Sequence, residues 1–281
     1  MPDYYNSPQW QHCLLHLGWW RGSFTNLSPE GVILGDTPTL VTLDGEDNNR
    51  KIKQTVQRFP THGLLPRMLH LEYTSLSRGL IFFDNGAFSL GSMQYAPFSQ
   101  FGSEFGFIEG DRRLRLVELF DSNGQFSNVS LIRERRDGTE VRERPPLTID
   151  DLLGLWEGEA VTQYPDYREP TTQASCLTIE QDGNYLHQTL SAGEFKLTTR
   201  ATITDSMLNF DGRNGAPDRR FLLLPDGGSC NVPLTIPRDR PFFLEAGWLI
   251  APGLRIRLMR NYDKLGGCTT LTCVTERMVG T

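Results

Sequence analysis

Gly18-Trp19-Trp20-Arg21-Gly22-Ser23-Phe24 decides the fold, because Gly154-Leu155-Trp156-Glu157-Gly158-Glu159-Ala160 repeats its Gly-x-Trp-x-Gly skeleton 136 residues later. Each copy follows a short amphipathic run and opens a series of strand-like segments. A Trp at the mouth of such a series is a large apolar plug with one N–H donor, suited to the floor of a small β-barrel. The repeat continues downstream. Arg78-Gly79-Leu80-Ile81-Phe82-Phe83-Asp84 matches Arg220-Phe221-Leu222-Leu223-Leu224-Pro225-Asp226, and Phe105-Gly106-Phe107-Ile108 matches Ala246-Gly247-Trp248-Leu249. Leu114-Arg115-Leu116 matches Leu254-Arg255-Ile256, and Glu134-Arg135 matches Glu276-Arg277. All five offsets lie between 136 and 142, the regular spacing of a duplication.

Working outward, Ser7-Pro8 starts a helix, with Ser as N-cap and Pro at the first helical position. Trp10, Cys13, Leu14 and Leu17 then form one apolar stripe that Gly18 ends. From Trp20 to Arg136 the text is β, with Asp44-Gly45, Asn85-Gly86 and Asn123-Gly124 as hairpin signals. Residues 137–147 are charged and contain Pro145-Pro146, which cannot donate to a ladder, so they read as a linker. Thr148-Ile149-Asp150-Asp151 is a capping box that predicts a second short helix before Gly154. The second half is again β, with turns at Asp182-Gly183, Asp211-Gly212 and Asp226-Gly227. Each half has room for about eight short antiparallel strands, and closing them removes both exposed edges. The expectation is an all-β protein of two tandem antiparallel β-barrels, 1–136 and 148–281, each opened by a short helix.

Bulk composition excludes several functions. Net charge is −6, with 15 basic against 17 acidic residues up to Pro146 and 13 against 17 beyond it. Neither half offers the cationic surplus that nucleic acid binding needs. The opening Met1-Pro2-Asp3-Tyr4-Tyr5 lacks a basic-then-apolar leader, and no run approaches the roughly 20 apolar residues that span a bilayer. The expected location is therefore cytoplasmic. Five scattered cysteines without a C-x-x-C suggest neither a disulfide framework nor a zinc site. His12 and His16 stand at i, i+4 without a third ligand and read as a helix face, while His62, His70 and His187 are dispersed. No metal is expected. No nucleophile elbow, P-loop or dinucleotide fingerprint occurs, and Arg112-Arg113 beside Asp111 reads as a solvated turn.

The last strand of each half ends in an arginine. Arg135 is in phase with Val129 and Leu131, and Arg277 with Leu271 and Cys273. Period-2 alternation aims both with the apolar residues, where a guanidinium can lie across the floor indole of Trp20 or Trp156. Gly-x-Trp on a first strand with Arg on the last resembles the lipocalin or calycin superfamily. The stretch from Glu245-Ala246-Gly247-Trp248 to Arg255-Ile256-Arg257-Leu258, with the closing Cys273-Val274-Thr275-Glu276-Arg277, is similar to the S-type phycobilin lyases. Those lyases are single barrels, and their Trp-x-Ser-x-Arg-rich opening is not reproduced at Trp156-Glu157-Gly158-Glu159. Gly253 also stands where they have Asn. As a whole the chain resembles a cyanobacterial and plastid family of two-barrel, lipocalin-like proteins that carries no established reaction.

The resemblance implies a hydrophobic small-molecule ligand, with a linear tetrapyrrole (bilin) as the finer reading. Arg255, Arg257 and Arg277 would then face its propionates, Glu276 its pyrrole N–H groups, and Trp248 would line the pocket. It also implies a phycobiliprotein-like acceptor as a partner. The alternatives are a chromophore lyase or isomerase acting on such a ligand, and a non-catalytic scaffold or docking protein. Arg255 and Arg257 alternate with Leu254, Ile256 and Leu258, so whether they enter a pocket depends on which face of that strand is the inner one.

Overall fold

The structure, a computed structural model, describes residues 4–60, 65–212 and 216–280. Met1-Pro2-Asp3, His62 and Thr281 lie outside the described residues. One α-helix, α1 (Pro8–Leu14), is N-capped by Ser7, whose side chain accepts from Trp10 N. The strands of the first half are β1 (Gly18–Leu27), β2 (Ile33–Glu46), β3 (Lys51–Arg58), β4 (Arg67–Tyr73), β5 (Leu80–Phe82), β6 (Phe88–Gly91), β7 (Phe101–Glu109), β8 (Arg112–Phe120) and β9 (Phe126–Arg136). Those of the second are β10 (Gly154–Gln163), β11 (Thr171–Asp182), β12 (Tyr185–Ala192), β13 (Phe195–Thr204), β14 (Met207–Phe210), β15 (Arg219–Leu223), β16 (Gly228–Pro233), β17 (Phe242–Ala251), β18 (Leu254–Tyr262) and β19 (Cys268–Gly280).

The two halves differ in closure. β10–β19 form a closed ten-stranded antiparallel barrel, whereas β1–β9 form an open, nine-stranded sheet in the order β4-β3-β2-β1-β9-β8-β7-β6-β5. The expectation of two closed barrels is corrected on this point. The reason is local: residues 205–218 link β13 to β15 and include β14, but only residues 74–79 link β4 to β5. Six residues are too few for a turn, a strand and a second turn. The free side of β5 is capped instead. The Gln9 side chain on α1 accepts from Phe82 N and donates to Phe82 O, both at 2.8 Å, as a strand would. The second opening helix is also absent. Thr148 and Asp151 make the reciprocal bonds of a capping box, but Gly154 arrives before one further turn can form, and 148–153 is a turn. Asp44-Gly45 lies inside β2, and the turn falls at Asp47, Asn48 and Asn49, all with positive φ.

The duplication is visible in detail at the opening. Gly18 and Gly154 have φ of 122° and 119°, which turns the chain into the first strand of each copy. The Trp20 indole donates to His16 O and the Trp156 indole to Leu152 O, each at 2.9 Å and each four residues back. Gly22 and Gly158 lie where the first strand crosses the last. A Cβ there would stand 1.8 Å from Arg133 O and 2.2 Å from Thr275 O respectively, so no side chain fits either position.

The largest buried apolar cluster belongs to neither interior. It joins the outer faces of the two sheets: Phe105, Phe107, Leu114, Leu116, Val129 and Leu131 on one side meet Leu244, Trp248, Ile256, Leu258, Leu271 and Cys273 on the other. Backbone bonds cross the same seam, from Phe126 N to Leu234 O and from Ile236 N to Gly124 O, both 2.9 Å. Arg260, fully buried, spans it to Gly79 O at 3.1 Å and Gly91 O at 3.2 Å. Apart from Arg260 and Arg112, the outer faces of the strands at the seam are mainly apolar, and the ion-paired arginines of β8 and β18 lie inside.

Glu118 is a buried acid on the outer face. It is 0% exposed, follows Leu114 and Leu116 into the seam, and neither carboxylate oxygen has a partner. Burial pushes its carboxyl pKa well above the usual range, which favours the neutral acid. A raised folded pKa means that Glu118 takes nothing from stability in acid and costs stability as pH rises past the ordinary carboxyl value of about 4.3. Glu118→Met is expected to stabilise the protein by about 1–3 kcal/mol at pH 8 and by much less at pH 4, as read by urea denaturation at both pH values. A variant less stable than wild type at pH 8 would show that the carboxyl does make a favourable contact.

Candidate functional site

The closed barrel contains a cavity of about 530 Å³. Its walls have different characters. Leu177, Ile179, Leu190, Phe210 and Phe221, on β11 to β15, form a mainly apolar side that Gln188, Thr198, Thr199 and Arg200 interrupt, while Arg219, Glu245, Arg255 and Arg257, on β15 to β18, bring charge to the other. This follows from strand phase. On β18 the aliphatic Ile256 and Leu258 point outward into the seam, so Arg255 and Arg257 point inward.

The inward arginines are committed to carboxylates. Arg255 Nε donates to Glu276 Oε1 at 2.5 Å and Arg257 Nε to the same oxygen at 2.9 Å. Arg257 also reaches Glu276 Oε2 at 3.1 Å and Glu245 Oε1 at 2.9 Å. Burial alone would raise the Glu276 pKa, but the charges and hydrogen bonds of Arg255 and Arg257 outweigh it and hold the carboxyl below its ordinary value. Arg255 lies 4.6 Å above the Trp156 ring. The group is charge-balanced, two arginines to two glutamates, and forms the ionic floor of the cavity.

The open half carries the same group. Arg113 Nε donates to Glu134 at 2.7 Å, and Arg115 reaches Glu134 at 3.0 and 3.1 Å and Glu104 at 2.8 Å. Arg113 lies 4.4 Å above Trp20, as Arg255 lies above Trp156. Arg113 and Arg115 thus correspond to Arg255 and Arg257 at an offset of 142, so the sequence match of Arg115 to Arg255 was two residues out of step. Arg113 is 3% exposed and Arg112 pairs with Asp226 and lies over Trp248, so the Arg112-Arg113 pair is no solvated turn. The helix face read at His12 and His16 is in part core: His16 is buried against Phe82 and Phe88, its Nε2 is 2.7 Å from Gly86 O, and burial lowers its pKa to about 3.

Three further expectations are corrected. Arg135 and Arg277 are exposed. They share a face with Val129 and Leu131, and with Leu271 and Cys273, but that face is the outer one, made apolar by the seam. The second cation over Trp20 is Arg136, at 4.4 Å, which also donates to Leu17 O at 2.8 Å. Trp248 is fully buried in the seam against Phe107, its indole donating to Asp226 O at 2.8 Å, and so does not line the cavity.

Sequence reasoning missed Arg113, Glu104, Glu134 and Glu245 in this role. The signal was present: Arg-x-Arg on the penultimate strand and Glu on the last, in both copies, at one common offset. It also missed Arg219, for which no pattern exists. Among the described residues no helix is long and apolar enough to cross a membrane.

Fold and site together define an all-β protein with one open sheet, one closed barrel and a ligand-sized cavity in the barrel. The chain belongs to the DUF3598 family. Residues 6–139 match the N-terminal domain of unknown function of that name, and residues 143–279 match the C-terminal domain of biogenesis factor required for ATP synthase 1. A DUF3598 protein of unknown function from Nostoc punctiforme is 46% identical over 96% of this chain and 99% of its own, with a TM-score of 0.90. The S-type phycobiliprotein lyase CPES from Guillardia theta aligns with 47% of this chain and 90% of its own at 16% identity, with a TM-score of 0.37. Among curated proteins nothing matches the chain.

Proposed function

We propose that the closed barrel binds an elongated, mostly apolar small molecule, with a linear tetrapyrrole as the finer reading. The observation that carries this is the cavity of about 530 Å³ with one mainly apolar and one charged wall. Sites for drug-sized ligands run from about 300 to 1,000 Å³ with few polar groups among apolar ones. Arg257 and Glu276 spend most of their bonding capacity within the floor group, whereas Arg255 gives Glu276 its Nε–H and keeps one buried terminal nitrogen without a hydrogen-bond partner. Glu276 is 1% exposed and lies behind the cavity lining, so a ligand would meet the arginines it holds rather than its carboxylate. The test is an absorption spectrum and mass spectrum of the protein purified from its native host. A visible band with a co-purifying bilin is the expected result; a colourless protein that also leaves added bilin unbound would overturn the tetrapyrrole reading.

A second reading, a docking or assembly protein, is favoured by the name of the family that matches residues 143–279. The edge strand β4, with Met68, Leu69 and Leu71 exposed, is the surface it would use. Cross-linking in host extract separates the two readings, since only the second expects a stable protein partner without a bound small molecule.

A further inference from the structure

The charged wall holds one cation more than its acids balance. Arg255 and Arg257 answer Glu245 and Glu276, whereas Arg219 has no carboxylate in ion-pair contact among the described residues. Its bonds go to neutral groups: Nε donates to Asn231 Oδ1 at 3.0 Å, one terminal nitrogen to Phe243 O at 3.1 Å and the other to Asn231 O at 2.8 Å. The guanidinium lies 3.5 Å above the Phe243 ring. Of its five N–H donors, one on each terminal nitrogen is left over. Burial lowers its pKa to about 10, so it remains a cation at neutral pH but a poorly solvated one.

Its position along the barrel is also informative. Strand register places Leu249 opposite Arg255 at the Trp156 end, then Glu245 opposite Met259, then Phe243 opposite Asn261. Arg219 sits with Phe243, so it stands at the far end of the cavity from the Trp156 floor. Between the two ends runs the mainly apolar wall of Leu177, Ile179, Leu190 and Phe221. Glu245 and Glu118 act on Arg219 only at longer range, and a cation without a close ion pair at one end of a largely apolar cavity is the arrangement that seats the head group of an anionic amphiphile.

We infer that Arg219 is the ligand's anchor: it receives a carboxylate (or another single anionic head group) on its two uncommitted N–H donors, with the apolar body of the ligand lying toward Trp156. The inference rests on the binding role proposed above and narrows it to anions. Binding of dodecanoate and of dodecanol to the full chain, measured by displacement of a neutral naphthalene dye, tests it. Wild type is expected to bind the acid at least about tenfold more tightly than the alcohol, the usual gain from a charge-assisted pair. Arg219→Gln is expected to bring the two within about twofold, Arg219→Lys to keep part of the preference, and Arg277→Gln on the outer face to change nothing. Equal wild-type affinities, or a preference that survives Arg219→Gln, would overturn the anchor while leaving the cavity role intact. If neither acid, alcohol nor dye binds, the cavity role itself fails and the anchor with it. Should Arg219→Gln not fold, the wild-type ratio and Arg219→Lys decide: no wild-type preference, or full preference in the Lys variant, counts against the fork.

Discussion

Glu276→Gln is expected to cost about 3–5 kcal/mol of stability at neutral pH, the price of leaving a buried ion group unbalanced. The loss comes less from the missing bonds than from Arg255 and Arg257, which stay buried with only Glu245 to answer two positive charges. Glu276→Gln combined with Arg255→Met restores the balance, Arg257 to Glu245, and is expected to be more stable than the single variant. The pH dependence follows from the depressed pKa of Glu276. A carboxyl lowered by folding stabilises above its unfolded pKa, about 4.3, and that contribution is lost as pH falls through the folded value. Wild type should therefore lose stability in acid more steeply than Glu276→Gln. Urea denaturation between pH 3 and 7 measures both effects, and a single variant within about 1 kcal/mol of wild type at pH 7 would show that the cluster is solvated after all.

Trp248→Ala is expected to be comparably damaging, about 3–5 kcal/mol, yet to leave ligand affinity unchanged. The indole fills the seam between the halves, contacts Phe107 and lies under the Arg112 guanidinium at 4.8 Å. Its loss opens a void on the outer face of the barrel and strands an acceptor at Asp226 O. Thermal denaturation combined with the dye titration separates stability from binding. A variant of normal stability with weakened binding would return Trp248 to the cavity wall.

Strand content, the turn glycines and the two Trp-bearing openings were legible because each is a local matter: φ preference, alternation and one large ring. What alternation cannot supply is the identity of the inner face. Val129 with Leu131, and Leu271 with Cys273, are apolar because another domain covers them, and Arg135 and Arg277 beyond them reach water. Arg113 and Arg115, and Arg255 and Arg257, went inside instead, each pair with two glutamates in a balanced group. From sequence alone an arginine between aliphatic residues looks solvent-facing unless the carboxylates that receive it are found as well. Glu134 and Glu276 stand 19 and 21 residues from their arginines, close enough to be found by aligning the two halves two residues further along. Closure was illegible for another reason, since it turns on one four-residue strand, Met207–Phe210, that no repeat signal marks.

That strand also fixes what the open half can become. In an all-antiparallel sheet direction alternates, so the first and last of nine strands run the same way and no antiparallel seam can join them, however far the sheet curls. Ten strands end in opposite directions and can zip shut. The parity of the strand count therefore decides whether a sheet can close with antiparallel pairs throughout. Enlarging loops or repacking side chains cannot give the first half the second half's all-antiparallel closure; only an added strand, from this chain or from another, can.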